Sequence, residues 1–229
     1  MSAIRGLLRP ARQETYERVF GAVYVGLMTN VLLAVACAPL LLALAIVRDP
    51  LASWPFFAVL SALCAPALAG AFRCFAALGE GSTAVLGAFW GGYRQAAGRA
   101  LAVWAAGAAL VSVLVLDAVV VSRTSWGPLL VPFFATATAL AVAVAVALLV
   151  VVAETPRGVR LRGLVLPCLF LVARRWYLTA PTVAVLALAV AVILVKPVVG
   201  VLLACAPLLY VAWSTTRHVV APAMPATAR

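Results

Sequence analysis

Charged side chains are scarce in this chain: they form 10% of its 229 residues, and only six are acids. Soluble domains carry about 25% charged and roughly 45–50% apolar residues; here the apolar share is 67%. Too little polar surface remains to clothe a water-soluble globule. That excludes an ordinary soluble enzyme, a disordered chain and a disulfide-built secreted scaffold. Histidine occurs once, at His218, and lysine once, at Lys196. The five cysteines, at 37, 64, 74, 168 and 205, contain no CxxC pair. With one histidine and no cysteine cluster, no metal and no cofactor is expected, and the thiols read as small apolar packing residues.

The acids are also badly placed for catalysis. Glu14, Glu17, Asp49, Glu80, Asp117 and Glu154 are dispersed, and only Glu14 and Glu17 are close in sequence. No general acid–base couple emerges, no catalytic residue is assigned, and the chain reads as non-enzymatic. Residues 79–84 match G-x-G-x-x-A. A dinucleotide loop needs a preceding strand and an acid about 20 residues on. The next acid after Glu80 is Asp117, so the glycines read as a loop between helices.

What the chain does have is long uncharged runs, at 19–47, 50–72, 100–116, 124–153, 176–195 and 197–216. A bilayer core of about 30 Å takes roughly 20 helical residues. Five runs reach that length, and the third does so if it continues past Asp117 to about Ser122. The expectation is an all-α integral membrane protein with six transmembrane helices. Residues 19–216 form one domain, between an N-terminal segment 1–18 and a tail 217–229. Ala/Val alternation within 139–147 and 183–192 does not argue for strands, because both alternating residues are apolar.

Orientation follows from arginine. The net charge is +11, but the basic residues punctuate apolar runs instead of forming one basic surface, so no nucleic acid partner is expected. With the N-terminus inside, fourteen basic residues lie on the cytoplasmic side, and Arg48, Arg123 and Lys196 lie outside. This split predicts N-in/C-in topology, with both 1–18 and 217–229 cytoplasmic. Two non-spanning segments, about 79–99 and 158–175, fall on that same side. Each combines aromatic residues with arginine, and each is expected to form a short interfacial helix at headgroup depth. Their candidate contacts with lipid or a partner protein are Trp90, Tyr93, Arg94, Arg99, Arg174 and Arg175. Within the spans Asn30 stands out, because an amide in hydrocarbon needs a hydrogen-bond partner on a neighbouring helix. None of the runs holds a titratable group near its middle, which argues against an ion-coupled carrier.

Asn30 is followed nine residues later by Pro39, and Phe89-Trp90-Gly91-Gly92-Tyr93-Arg94-Gln95-Ala96 precedes the third run. In these features the chain resembles the YesL-like (DUF624) family of bacterial multipass membrane proteins, over most of 19–195. The resemblance implies a protein of the bacterial inner membrane, accessory to carbohydrate ABC-type uptake. Its implied partners are the lipid bilayer and sugar-transporter components. It brings no catalytic residues and leaves oligomeric state open. The alternative reading is a small-solute transporter or permease in its own right.

Overall fold

The computed structural model describes residues 10–47, 52–156, 161–196 and 200–224. Among them the secondary structure is entirely helical. The helices are α1 (Pro10–Ala36), α2 (Ala38–Ile46), α3 (Trp54–Ser61), α4 (Cys64–Gly79), α5 (Val85–Ser122), α6 (Gly127–Glu154), α7 (Arg162–Arg174), α8 (Trp176–Val195) and α9 (Cys205–Val220). A π-helical turn, Gly200–Ala204, leads into α9, and a 3₁₀ turn, Ala221–Ala223, follows it. Helices α1, α5, α6 and α8 are long and apolar enough to cross a membrane; counting the bent pair α3–α4 as one span makes five. Large apolar side chains such as Phe20, Val59, Leu129, Phe133 and Val195 point outward along these elements. The chain is thus a helical, membrane-embedded multipass protein. Asp49, Arg157 and Arg160, together with the residues before Pro10 and after Met224, lie outside the described residues.

Proline explains where the helices break. Pro39 and Pro55 sit in the first turns of α2 and α3, where a missing N–H costs nothing. The second run bends by 40° at Ala62–Leu63, one turn before Pro66. In a continuous helix the Pro66 nitrogen would serve the Ala62 carbonyl. It has no hydrogen to give, so the chain yields there, and Pro66 itself rides in the first turn of α4.

The segment 79–99 differs from expectation. It is not a separate interfacial helix: α4 ends at Gly79, Gly81 turns the chain at φ +82°, and α5 then runs unbroken from Val85 to Ser122. At 1.5 Å per residue, its 38 residues span about 57 Å, well beyond the ~30 Å hydrocarbon core. Each glycine in a helix costs about 1 kcal/mol of propensity, and 79–99 holds six of them. Packing overrides that cost. Gly92 is buried where α5 crosses α4, and a Cβ there would stand 2.8 Å from Arg73 Cβ and 3.3 Å from Gly70 Cα. Gly70 faces Phe89 just as closely, with the Phe89 carbonyl oxygen 2.9 Å from where its Cβ would be. The two glycines let the backbones touch, and Phe89 fills the space beside them, fully buried. The second segment does contain a separate short helix, the 13-residue α7, divided from α8 by Arg175.

Helices α5 and α6 form an antiparallel pair. Arg99 meets Thr155 and Pro156 near one end, Gly107 faces Ala145 midway, and Gly127 packs on Ser122 at the turn. Helix α9 returns to the first end, where Arg217 reaches Glu154. One end of the bundle therefore gathers the start of α5, the finish of α6 and the finish of α9; Arg123 marks the other.

Adjacent glycines in α5 offer a direct check. Gly92→Ala should destabilise by about 1–3 kcal/mol through overpacking, whereas Gly91, with open space around it, should gain up to ~1 kcal/mol from alanine. Thermal unfolding in detergent micelles, followed by circular dichroism, reads both; equal shifts would contradict the crossing.

Candidate functional site

The bundle's polar chemistry is concentrated in two places. The first is Asn30, only 1% exposed within α1. Its Nδ2 donates to the Leu202 carbonyl at 3.0 Å, and its Oδ1 accepts the Ala206 N–H at 2.6 Å. Leu202 and Ala206 are four residues apart, the pair that an α-helix would bond directly. The π-helical turn spreads them, and Pro207 has no N–H with which to serve Leu202 instead. One amide therefore satisfies both orphaned groups across the helix interface. The expected interhelical role of Asn30 is met by backbone, not by another side chain.

Three cysteines flank the same breaks: Cys37 between α1 and α2, Cys64 at the start of α4 and Cys205 at the start of α9. These compact side chains fill the gaps where helices are interrupted. Cys74 is buried and donates to the Val85 carbonyl at 3.5 Å, fastening the turn between α4 and α5. On α7, burial pushes the Cys168 thiol up to about 11, which keeps it protonated and inert at neutral pH.

The second concentration lies at the end where α6 finishes. Arg99 projects from α5 and donates to the carbonyls of Val152, Thr155 and Pro156 at 3.2, 2.8 and 2.9 Å. These are carbonyls at or just beyond the last turn of α6, where acceptors outnumber N–H donors and a cation is favoured. Beside them the Glu154 side chain is 4% exposed and holds two residues of α9. Trp213 Nε1 donates to Oε1 at 2.8 Å, and Arg217 Nε donates to Oε2 at 2.9 Å. The Arg217 guanidinium also lies 5.4 Å from the Trp213 ring centre, a cation–π contact. Trp213 in turn packs among Phe75 of α4 and Tyr210 of its own helix. Arg175 donates to the His218 carbonyl at 3.1 Å, serving the last turn of α9.

This arrangement separates the candidate contacts into two groups. Arg99 and Arg175 bind backbone carbonyls and close helix ends. Arg94 and Arg174 are exposed, as is Trp90, while Tyr93 is half-buried. Trp90 and Tyr93 stack with Phe89 in an aromatic cluster on the first turns of α5. The first basic-aromatic segment packs on α4, and Arg175 of the second bonds α9. Glu154, Trp213 and Arg217 were not singled out by sequence. The available signal was the four-residue spacing of Trp213 and Arg217, which puts both on one helix face, and an acid closing an apolar run. With a donor on each of its oxygens, Glu154 acts as an anchor between helices.

Searches of family models, curated proteins and solved structures return no match to this chain.

Replacing Asn30 by alanine removes both partners from the broken start of α9. The expected cost is about 1–3 kcal/mol for each buried group left unsatisfied. Hydrogen exchange should then rise at 202–206 before it rises in α5 or α6. Protection at Ala206 unchanged by the substitution would contradict the bridging role.

Proposed function

We propose that this chain is a non-enzymatic, six-span protein of the bacterial inner membrane, with both termini cytoplasmic, that serves as an accessory to a carbohydrate-uptake system. The observation that carries the reading is the gathering of basic residues at one end of the bundle. Arg99, Arg175 and Arg217 converge on the end where α6 and α9 finish, and Arg94 precedes Arg99 on α5. Arg123 follows α5 at the opposite end. That asymmetry supports N-in/C-in orientation. In this reading the bent pair α3–α4 counts as one span, and the sixth is taken to be the π-helical turn with α9, Gly200 to Val220.

The accessory role draws support from how the polar groups are used. Asn30 and Glu154 are occupied in holding helices together, which leaves the exposed aromatic and arginine residues at the basic end as the surface for a partner. The partner's identity as sugar-transporter components comes from the family resemblance.

Two measurements test this reading. In a cysteine-free background, single cysteines at Arg123 and Lys196 should react with an impermeant maleimide added to intact cells, and one at Glu80 should not; labelling at Glu80 would break the topology.

For the docking surface, Arg94→Gln combined with Arg174→Gln should release a co-purifying membrane partner while the protein still inserts and stays folded. Arg99→Gln and Arg175→Gln should instead lower stability, because each uncaps a helix end. An unchanged partner list from the first double variant, or no partner with the wild type, would count against the accessory role.

A further inference from the structure

Two apolar grooves flank α6. One, of about 930 Å³, lies between α5, α6 and α8, and its lining includes no charged residue. The other, of about 870 Å³, lies between α5, α6 and α7, and differs in one respect. Its walls are built from side chains such as Ala106, Leu110, Ala141, Leu148 and Val165, yet its lining includes one charged residue, Arg162. Small residues such as Gly107 and Ala145 bring α5 and α6 close at the floor of the groove. Along α5 its lining runs from Ala102 to Leu114, about 18 Å at helical rise. That is close to half of a ~30 Å hydrocarbon core, the depth of one leaflet.

Arg162 is the first residue of α7 and is exposed. A guanidinium beside an apolar channel one leaflet deep matches an amphiphile with an acyl tail and an anionic head. Arginine binds phosphate through paired N–H donors, and the N-terminal end of α7 adds a favourable dipole. A neutral solute would leave the guanidinium unused, and a soluble anion would leave the apolar walls empty.

From this geometry we infer that the α5–α6–α7 groove binds an anionic phospholipid, its acyl chain along the seam and its phosphate on Arg162. The inference rests on the membrane-embedded reading given above. It makes the groove a selective lipid site, distinct from the uncharged groove on the α8 side.

The test reconstitutes the full chain into nanodiscs of equal phosphatidylglycerol and phosphatidylcholine, extracts it in mild detergent, and counts retained lipids by native mass spectrometry. Wild type should retain phosphatidylglycerol at least severalfold over phosphatidylcholine. Arg162→Gln should bring that ratio near one, and Arg162→Lys should restore part of it. Ala141→Phe, which fills the channel, should lower retention of both lipids, whereas Ala187→Phe in the uncharged groove should leave the phosphatidylglycerol preference intact. Equal retention of the two lipids by wild type, or a ratio indifferent to Arg162→Gln, would overturn the site. Resistance of each variant to carbonate extraction from liposomes separates the two levels. A wild-type chain washed off the bilayer defeats the membrane reading itself, whereas a chain that stays embedded without lipid preference defeats only the groove.

Discussion

Inside an apolar slab, every backbone N–H and C=O must find its partner within the protein, because no water is there to take its place. A regular helix meets that demand by itself. A chain with 14 prolines cannot be regular throughout, and the structure consists largely of answers to the resulting vacancies. Asn30 restores the Leu202–Ala206 connection through its amide. Arg99 collects three carbonyls at the end of α6, and Arg175 serves one at the end of α9. Each of these repairs also links two helices, so local satisfaction and tertiary packing are achieved by the same atoms. This matters more here than in a soluble protein, because lipid tails are as apolar as the helices and offer little hydrophobic drive for association.

The sequence disclosed the large-scale plan through length and charge. Uncharged runs of about 20 residues marked α1, α5, α6 and α8, and the absence of polar alternation excluded strands. Asn30 was legible because a lone amide in hydrocarbon must bond something, although the partner, a backbone gap beside Pro207, was not. The short interfacial helix expected at 79–99 is instead, from Val85 on, the start of the long α5, because Gly92 lets it cross α4 closely beside Gly70, a contact that only the fold reveals. The bend one turn before Pro66 follows from the carbonyl four residues earlier, which a proline leaves without a donor. The Glu154 cluster was hidden because its members lie 59 and 63 residues apart in the chain, and only folding brings them together.

The arginines illustrate why residue type alone does not reveal role. All of them served equally in the counting that assigned orientation. In the folded protein Arg99 and Arg217 act on buried acceptors, whereas Arg94 and Arg174 remain at the surface. A residue that positions the protein in its membrane by charge can also hold a helix end by geometry, and substitution affects the two tasks on different scales: orientation responds to the sum of charges, stability to the individual bond.

Helix α9 depends at both ends on chain made well before it. Its start is completed by Asn30, and its last turns are tied to Glu154. During synthesis, α1 and α6 leave the ribosome long before their partner exists, so Asn30 and the Glu154 carboxylate wait unpaired while the rest of the bundle forms. Arrival of α9 supplies both at once. The final hairpin therefore completes the bundle: a chain that lacked it would keep an open amide among apolar helices and an unanswered carboxylate at the end of α6.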